Sequence, residues 1–196
     1  MSALHHIVYL HGFRSSPRSA KALAMAQWAA SQPGLQWCCP QLPPSPAEAM
    51  ALLRRLTADW PDEGVALLGS SLGGYYASHL ACQRPRWRVA LMNPAVDPAR
   101  DLAAHIGEQS AFHTPEERFF FRPEFIGELR ALAVPLLPRP ERAMAIVATG
   151  DEVLDWREMQ AAWAGSALRL VTGSDHALSD FDDHLPALLQ FLKLCD

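Results

Sequence analysis

The stretch Val65-Ala66-Leu67-Leu68-Gly69-Ser70-Ser71-Leu72-Gly73-Gly74 decides how this chain folds. Four apolar residues run into a Gly-x-Ser-x-Gly pattern, and a helix-like stretch over 72–83 follows. The order is strand, sharp turn, helix, with a serine at the apex. Such a turn leaves no room at 69 and 73, where a Cβ would strike neighbouring backbone, and glycine removes that atom. The strained turn lifts the Ser71 hydroxyl clear of the strand ends, which presents it as a nucleophile.

The rest of the chain repeats this alternation. Short apolar runs at 7–10, 35–39, 65–68, 89–92, 145–148 and 168–171 read as six strands. They are not alternating, as expected of strands buried on both faces of a parallel sheet. Helical patterns cover 17–30, 46–60, 72–83, 155–164 and 185–194. Ser45, with Glu48 three residues on, reads as a capping box, and Pro186 is expected in the first turn of the last helix. Strand–helix alternation of this kind means a three-layer α/β sandwich around a doubly wound, mainly parallel sheet of order 2-1-3-4-5-6. The stretch 97–141 breaks the pattern: it is rich in proline (98, 115, 123, 135, 138 and 140), carries Phe119-Phe120-Phe121 and shows no clear strand. We read it as a small helical cap or lid inserted into a single domain that spans 1–196; a long surface loop with one crossover helix is the alternative.

Composition sets the limits. The 196 residues are 49% hydrophobic and 19% charged, enough for one sizeable core. A net charge of −4 argues against a nucleic-acid surface. No segment approaches the roughly 18 apolar residues of a membrane span, and Met1-Ser2-Ala3-Leu4-His5-His6 lacks the basic start and apolar run of a signal peptide. Cys38, Cys39, Cys82 and Cys195 form no Cys-x-x-Cys pair, so a zinc site is not expected. Reduced thiols in a cytoplasmic protein are the expectation, with the adjacent Cys38 and Cys39 on opposite faces of a strand.

A serine hydroxyl needs a general base, and the base needs a partner that fixes its tautomer. With a serine elbow of this kind the chain order is Ser, acid, His. Asp151 follows the fifth strand on a loop at its C-terminal end, where the active sites of open α/β sheets gather. Asp97, after the fourth strand, and Asp155 are the other acids in range. His176 follows the sixth strand in Gly173-Ser174-Asp175-His176, whereas His184 falls on or near the last helix. The oxyanion hole needs two backbone N–H groups. Leu72, next after the nucleophile and at a helix start, supplies one. Phe13, in the loop His11-Gly12-Phe13-Arg14-Ser15-Ser16 after the first strand, supplies the other. Strands one and three are neighbours in the expected order, which sets that loop beside Ser71. A phosphate-cradling reading of 69–74 fails for want of a Gly-x-x-x-x-Gly-Lys-[Ser/Thr] pattern, since Lys occurs only at 21 and 193.

The motifs His11-Gly12-Phe13, Gly69-Ser70-Ser71-Leu72-Gly73-Gly74-Tyr75, Asn93-Pro94-Ala95, Thr149-Gly150-Asp151-Glu152-Val153-Leu154-Asp155 and Asp175-His176 together resemble the YqiA/YcfP group of small bacterial α/β-hydrolase esterases. The resemblance runs from the first strand to the last helix. It implies the α/β-hydrolase fold and a cytoplasmic serine esterase acting on acyl esters or acyl-CoA thioesters without a cofactor. Ser71 would be nucleophile, Asp151 acid and His176 base. A peptidase or perhydrolase on the same three residues, and a non-catalytic binder on a hydrolase scaffold, are the other readings; the oligomeric state is open.

Overall fold

The structure is a computed structural model that describes residues 4–134 and 137–194; Pro135 and Cys195 lie outside the described residues. Six parallel strands form the central sheet: β1 (His6–Leu10), β2 (Gln36–Cys38), β3 (Val65–Ser70), β4 (Arg88–Met92), β7 (Ala143–Ala148) and β8 (Ala167–Val171). Their spatial order is β2-β1-β3-β4-β7-β8. Counted along the sheet alone this is the expected 2-1-3-4-5-6, with the direction of winding changing between β1 and β3.

Period-two alternation divides the core by face. Val8, Leu10, Leu67, Leu91 and Val147 pack into one cluster with α2 (Pro46–Leu56) and α3 (Leu72–Gln83). Ile7, Tyr9, Leu68, Met92 and Ile146 pack into the other with α1 (Ala20–Ala30) and α7 (Phe181–Leu194). The result is helix, sheet, helix in three layers. Cys38 and Cys39 pack against opposite clusters, and neither they nor Cys82 form a disulfide among the described residues. Ser45 caps α2 by accepting the Glu48 N–H at 3.2 Å.

Two expectations need correction. Helix α7 begins at Phe181, so Pro186 lies inside it, past the first turn. Asp182 and Asp183 in its first turn suit the positive end of the helix dipole. The stretch 97–141 also contains strands. After α4 (Pro98–Asp101) and a short 3-10 turn, β5 (Gly107–Ser110) and β6 (Arg118–Phe121) pair as an antiparallel hairpin, followed by α5 (Glu124–Ala131). Gly-Glu-Gln-Ser in β5 carries no apolar side chain, so no hydrophobic period marks it.

Helix α5 and the hairpin pack against the sheet and its helices. Phe121, Phe125 and Leu129 enter the core cluster that holds α2 and α3. Tyr75 donates to the Leu129 carbonyl at 2.8 Å, and Glu128 accepts from the Ser45 hydroxyl at 2.7 Å and the Ala47 N–H at 2.9 Å. Helix α6 (Trp156–Ala162) joins β7 to β8. Among the described residues no helix is long and apolar enough to cross a membrane.

Candidate active site

Ser71 stands between β3 and α3 with φ 55° and ψ −122°, a strained region for any residue with a Cβ. Close packing holds the turn. A Cβ on Gly73 would lie 1.9 Å from the Leu10 carbonyl oxygen, and one on Gly69 would lie 2.4 Å from the Gly73 oxygen. Only glycine at both positions lets β1, β3 and α3 meet this closely.

Loops after β7 and β8 bring Asp151 and His176 to the serine. His176 Nε2 lies 3.0 Å from Ser71 Oγ, and His176 Nδ1 lies 2.7 Å from Asp151 Oδ2. The Asp151 side chain is fully buried. Its other oxygen accepts the N–H groups of Val153 and Leu154, both at 2.8 Å, so two backbone donors aim the carboxylate. Glu152 accepts the His176 N–H at 2.9 Å. The two loops are also laced directly: Gly150 N–H donates to the Gly173 carbonyl at 3.0 Å, and Gly173 N–H to the Thr149 hydroxyl at 3.0 Å.

The other candidates have different work. Asp97 accepts the Arg100 N–H at the start of α4, and Asp155 accepts the Arg157 N–H at the start of α6. His184 lies on α7, buried against Asp180 at 3.1 Å. The Asp175 carboxylate is held below its ordinary value by hydrogen bonds from the Ser179 hydroxyl and N–H, which makes it a loop cap.

The His11–Ser15 loop lies against the serine, where a Cβ on Gly12 would be 3.2 Å from Ser71 Cβ. His11 is buried; its Nε2 accepts the Leu42 N–H at 3.1 Å, so Nδ1 carries the proton and donates to the Gly12 carbonyl at 3.0 Å. A trans peptide sets its carbonyl and N–H in opposite directions. Pinning the Gly12 carbonyl therefore also sets the direction of the Phe13 N–H. Among the described residues neither the Phe13 N–H nor the Leu72 N–H meets a hydrogen-bond acceptor. The Phe13 ring is gripped edge-on by Phe121 at 5.1 Å and Phe119 at 5.9 Å. Phe120, pointing the other way along β6, is exposed.

Two clefts flank this loop and share Gly12, Phe13 and Ser15. One, of about 710 Å³, contains Ser71 and His176 with Lys21, Phe112 and Val153 on its walls. The second, of about 700 Å³, runs along Leu72, Tyr76, Leu42, Leu52 and Phe119. Lys21 is buried beside the base loop and donates to the Ala177 carbonyl. Burial pulls its ammonium down to about 8, and Asp175 and Asp151 oppose that shift. Among the described residues no group of three or more His, Cys, Asp or Glu is arranged to hold a metal ion.

Three contributors escape the serine–acid–histidine pattern: Asn93, Glu152 and Lys21. Asn93 is fully buried with φ 41° at the end of β4, and its amide touches both the acid and base segments. An asparagine directly before a proline at a strand end was the available signal.

A family model matches residues 6–193. The chain belongs to the uncharacterised protein family UPF0227. This is the YqiA/YcfP family. Like other α/β-hydrolase folds, this UPF0227 protein superposes on many solved structures. The mouse alpha/beta hydrolase domain-containing protein 10 matches with a TM-score of 0.72 and 17% identity, covering 98% of this chain and 92% of that one. A monoacylglycerol lipase from Paleococcus ferrophilus matches with a TM-score of 0.69 and 15% identity, covering 98% and 96%. The esterase domain of a Rhodothermus marinus protein matches with a TM-score of 0.64 and 20% identity, covering 100% and 90%. At these identities the likeness establishes the α/β-hydrolase fold.

Proposed function

We propose that this protein is a serine hydrolase that cleaves carboxylic ester or acyl thioester bonds through Ser71, His176 and Asp151. The observation that carries the reading is the unbroken relay from a buried carboxylate to imidazole to hydroxyl, at 2.7 and 3.0 Å. Both distances are within the reach that nucleophile activation requires. The lipase and esterase among the proteins sharing its fold support the same class of chemistry.

In this reading His176 Nε2 takes the Ser71 proton as Oγ attacks the acyl carbonyl. Asp151 keeps the proton on Nδ1 and stabilises the imidazolium. The Phe13 and Leu72 N–H groups receive the developing oxyanion, each worth about 2.7–4 kcal/mol. Collapse of the tetrahedral intermediate expels the alkoxide or thiolate, which takes the proton from His176. Water, activated by the same imidazole, then hydrolyses the acyl-enzyme.

The reading gives each cleft a role. The leaving group has to lie where His176 can protonate it, so it takes the cleft that contains His176. The acyl chain then takes the cleft along Leu72 and Tyr76, beyond the oxyanion donors. The insertion over 97–141 shapes that acyl cleft through Phe119 and acts as its cap. Hydrolysis of p-nitrophenyl esters by purified wild type and Ser71→Ala tests the reading. Turnover should vanish in the variant, and undiminished turnover would remove the proposal.

A further inference from the structure

Three segments far apart in sequence have to hold registration of a few tenths of an ångström for the relay to work. We infer that Asn93 is the positioning residue that keeps them in register; this inference rests on the proposed roles of Ser71, His176 and Asp151.

The geometry is specific. Asn93 Oδ1 accepts the Ala148 N–H at 2.8 Å, at the end of the strand that leads into the Asp151 loop. Asn93 Nδ2 donates to the carbonyls of Asp175 at 3.0 Å and His176 at 3.1 Å, the backbone of the base loop. These partners fix which way the amide faces: an N–H can only donate and a carbonyl can only accept. The backbone around Asn93 reaches the nucleophile. Met92 accepts the Ser71 N–H at 3.0 Å, and the Ala95 N–H donates to the Ser71 carbonyl at 3.1 Å. A four-residue stretch at the end of β4 thus contacts the acid strand, the base loop and the elbow, though none of its side chains reaches the reacting atoms.

Residue type follows from two demands at one position. The backbone sits at φ 41°, in the left-handed region, which glycine and asparagine enter most readily. The buried side chain has one acceptor and two donors in use, and only a carboxamide of this length offers both there. Removing the amide strands one buried N–H, a costly loss, and takes a donor from two half-buried carbonyls. The base loop has further ties: Glu152 to the His176 N–H, Lys21 to the Ala177 carbonyl, and Gly150 and Thr149 to Gly173. Those ties each join the base loop to one neighbour, whereas the Asn93 segment joins the base loop, the end of β7 and the Ser71 elbow at once.

Asn93→Gly separates the two demands, because it keeps the φ and removes the amide. Asn93→Asp keeps the shape but loses the donors until its carboxyl takes up a proton. Ester hydrolysis by wild type and both variants is measured per active site titrated to completion with a fluorophosphonate, so that only folded protein is counted; Ser71→Ala, which lacks the labelled hydroxyl, is measured per folded chain. For Asn93→Gly, kcat should fall by about 100-fold, the scale of a 1 Å misplacement, while KM stays within about twofold. For Asn93→Asp, the ratio of kcat to wild type should rise as pH falls from 8 to 6, as the protonated carboxyl regains a donor. A wild-type kcat in Asn93→Gly would overturn the inference. Should that variant not fold, a pH-independent ratio in Asn93→Asp would overturn it. Turnover by Ser71→Ala would instead remove the underlying triad reading, so the two failures are distinguishable.

Discussion

Asp151 Oδ2 lies 2.7 Å from His176 Nδ1, on a side chain with no exposed surface, while its other oxygen is occupied by the N–H groups of Val153 and Leu154. The carboxylate is thus aimed before any substrate arrives. Asp151→Asn keeps the volume but places an amide donor against Nδ1–H or forces the other tautomer. We expect kcat to fall by about 10⁴. Asp97→Asn and Asp155→Asn alter helix caps away from His176, and their turnover should stay near wild type. Steady-state kinetics on the three variants checks this; a loss at Asp97 equal to that at Asp151 would contradict it.

Burial holds the His11 imidazole below its ordinary value. Its Nε2 already accepts the Leu42 N–H, and a second proton there would set donor against donor. The unfolded imidazole titrates near about 6.5 and the folded one lower, so below about pH 6.5 the unfolded state binds the proton first. Stability is therefore fully present above that pH and is lost as pH falls toward the folded value. His6 and His79 are also lowered, chiefly by burial, so a difference measurement is needed. Between pH 7 and 5 the Tm of wild type should drop further than that of His11→Gln. Parallel curves would count against the role assigned to His11.

Leu52 lines the cleft assigned to the acyl chain and is remote from the relay. Leu52→Trp should fill part of that space. KM for long-chain p-nitrophenyl esters should rise about tenfold or more, the cost of one or two displaced methylenes, with acetate ester kinetics unchanged. An equal effect on both esters would show that the clefts are assigned the wrong way round.

Phe121 is fully buried and meets Phe13 and Phe125 edge-on. Phe121→Ala should lower unfolding stability by about 3–5 kcal/mol, read from urea denaturation. It should also depress kcat, because the Phe13 backbone is the proposed oxyanion donor and its ring loses a wall. A destabilised variant with full kcat would free the insertion from any part in catalysis.

The sheet was legible because its inner strands are apolar on both faces and most strands are followed by helical periodicity; Val65–Ser70 entering the Gly-x-Ser-x-Gly turn set the frame for the other five. The hairpin was not, since β5 carries no apolar residue and β6 reads as an aromatic run whose alternate rings go inward at Phe119 and Phe121 and outward at Phe120. The start of α7 is masked in the sequence because Pro186 looks like a helix beginning, yet the chain is already helical from Phe181. At the site, motif order singled out Ser71, Asp151 and His176, and the structure brings these three together. Asn93, Glu152 and Lys21 hold backbone groups of the base loop at separations of 83, 24 and 156 positions, and apart from the Asn-Pro step at a strand end no local pattern marks a side chain whose partners are distant main-chain atoms.

The central claim is that the Ser71 hydroxyl is an activated nucleophile, and covalent capture tests it most directly. The folded protein is treated with a fluorophosphonate, and the adduct is located by intact mass and peptide mapping. The account requires one adduct per chain, on Ser71, formed far more slowly in His176→Ala and absent in Ser71→Ala. A folded wild-type chain that stays unlabelled, or that is labelled at another residue, would contradict it.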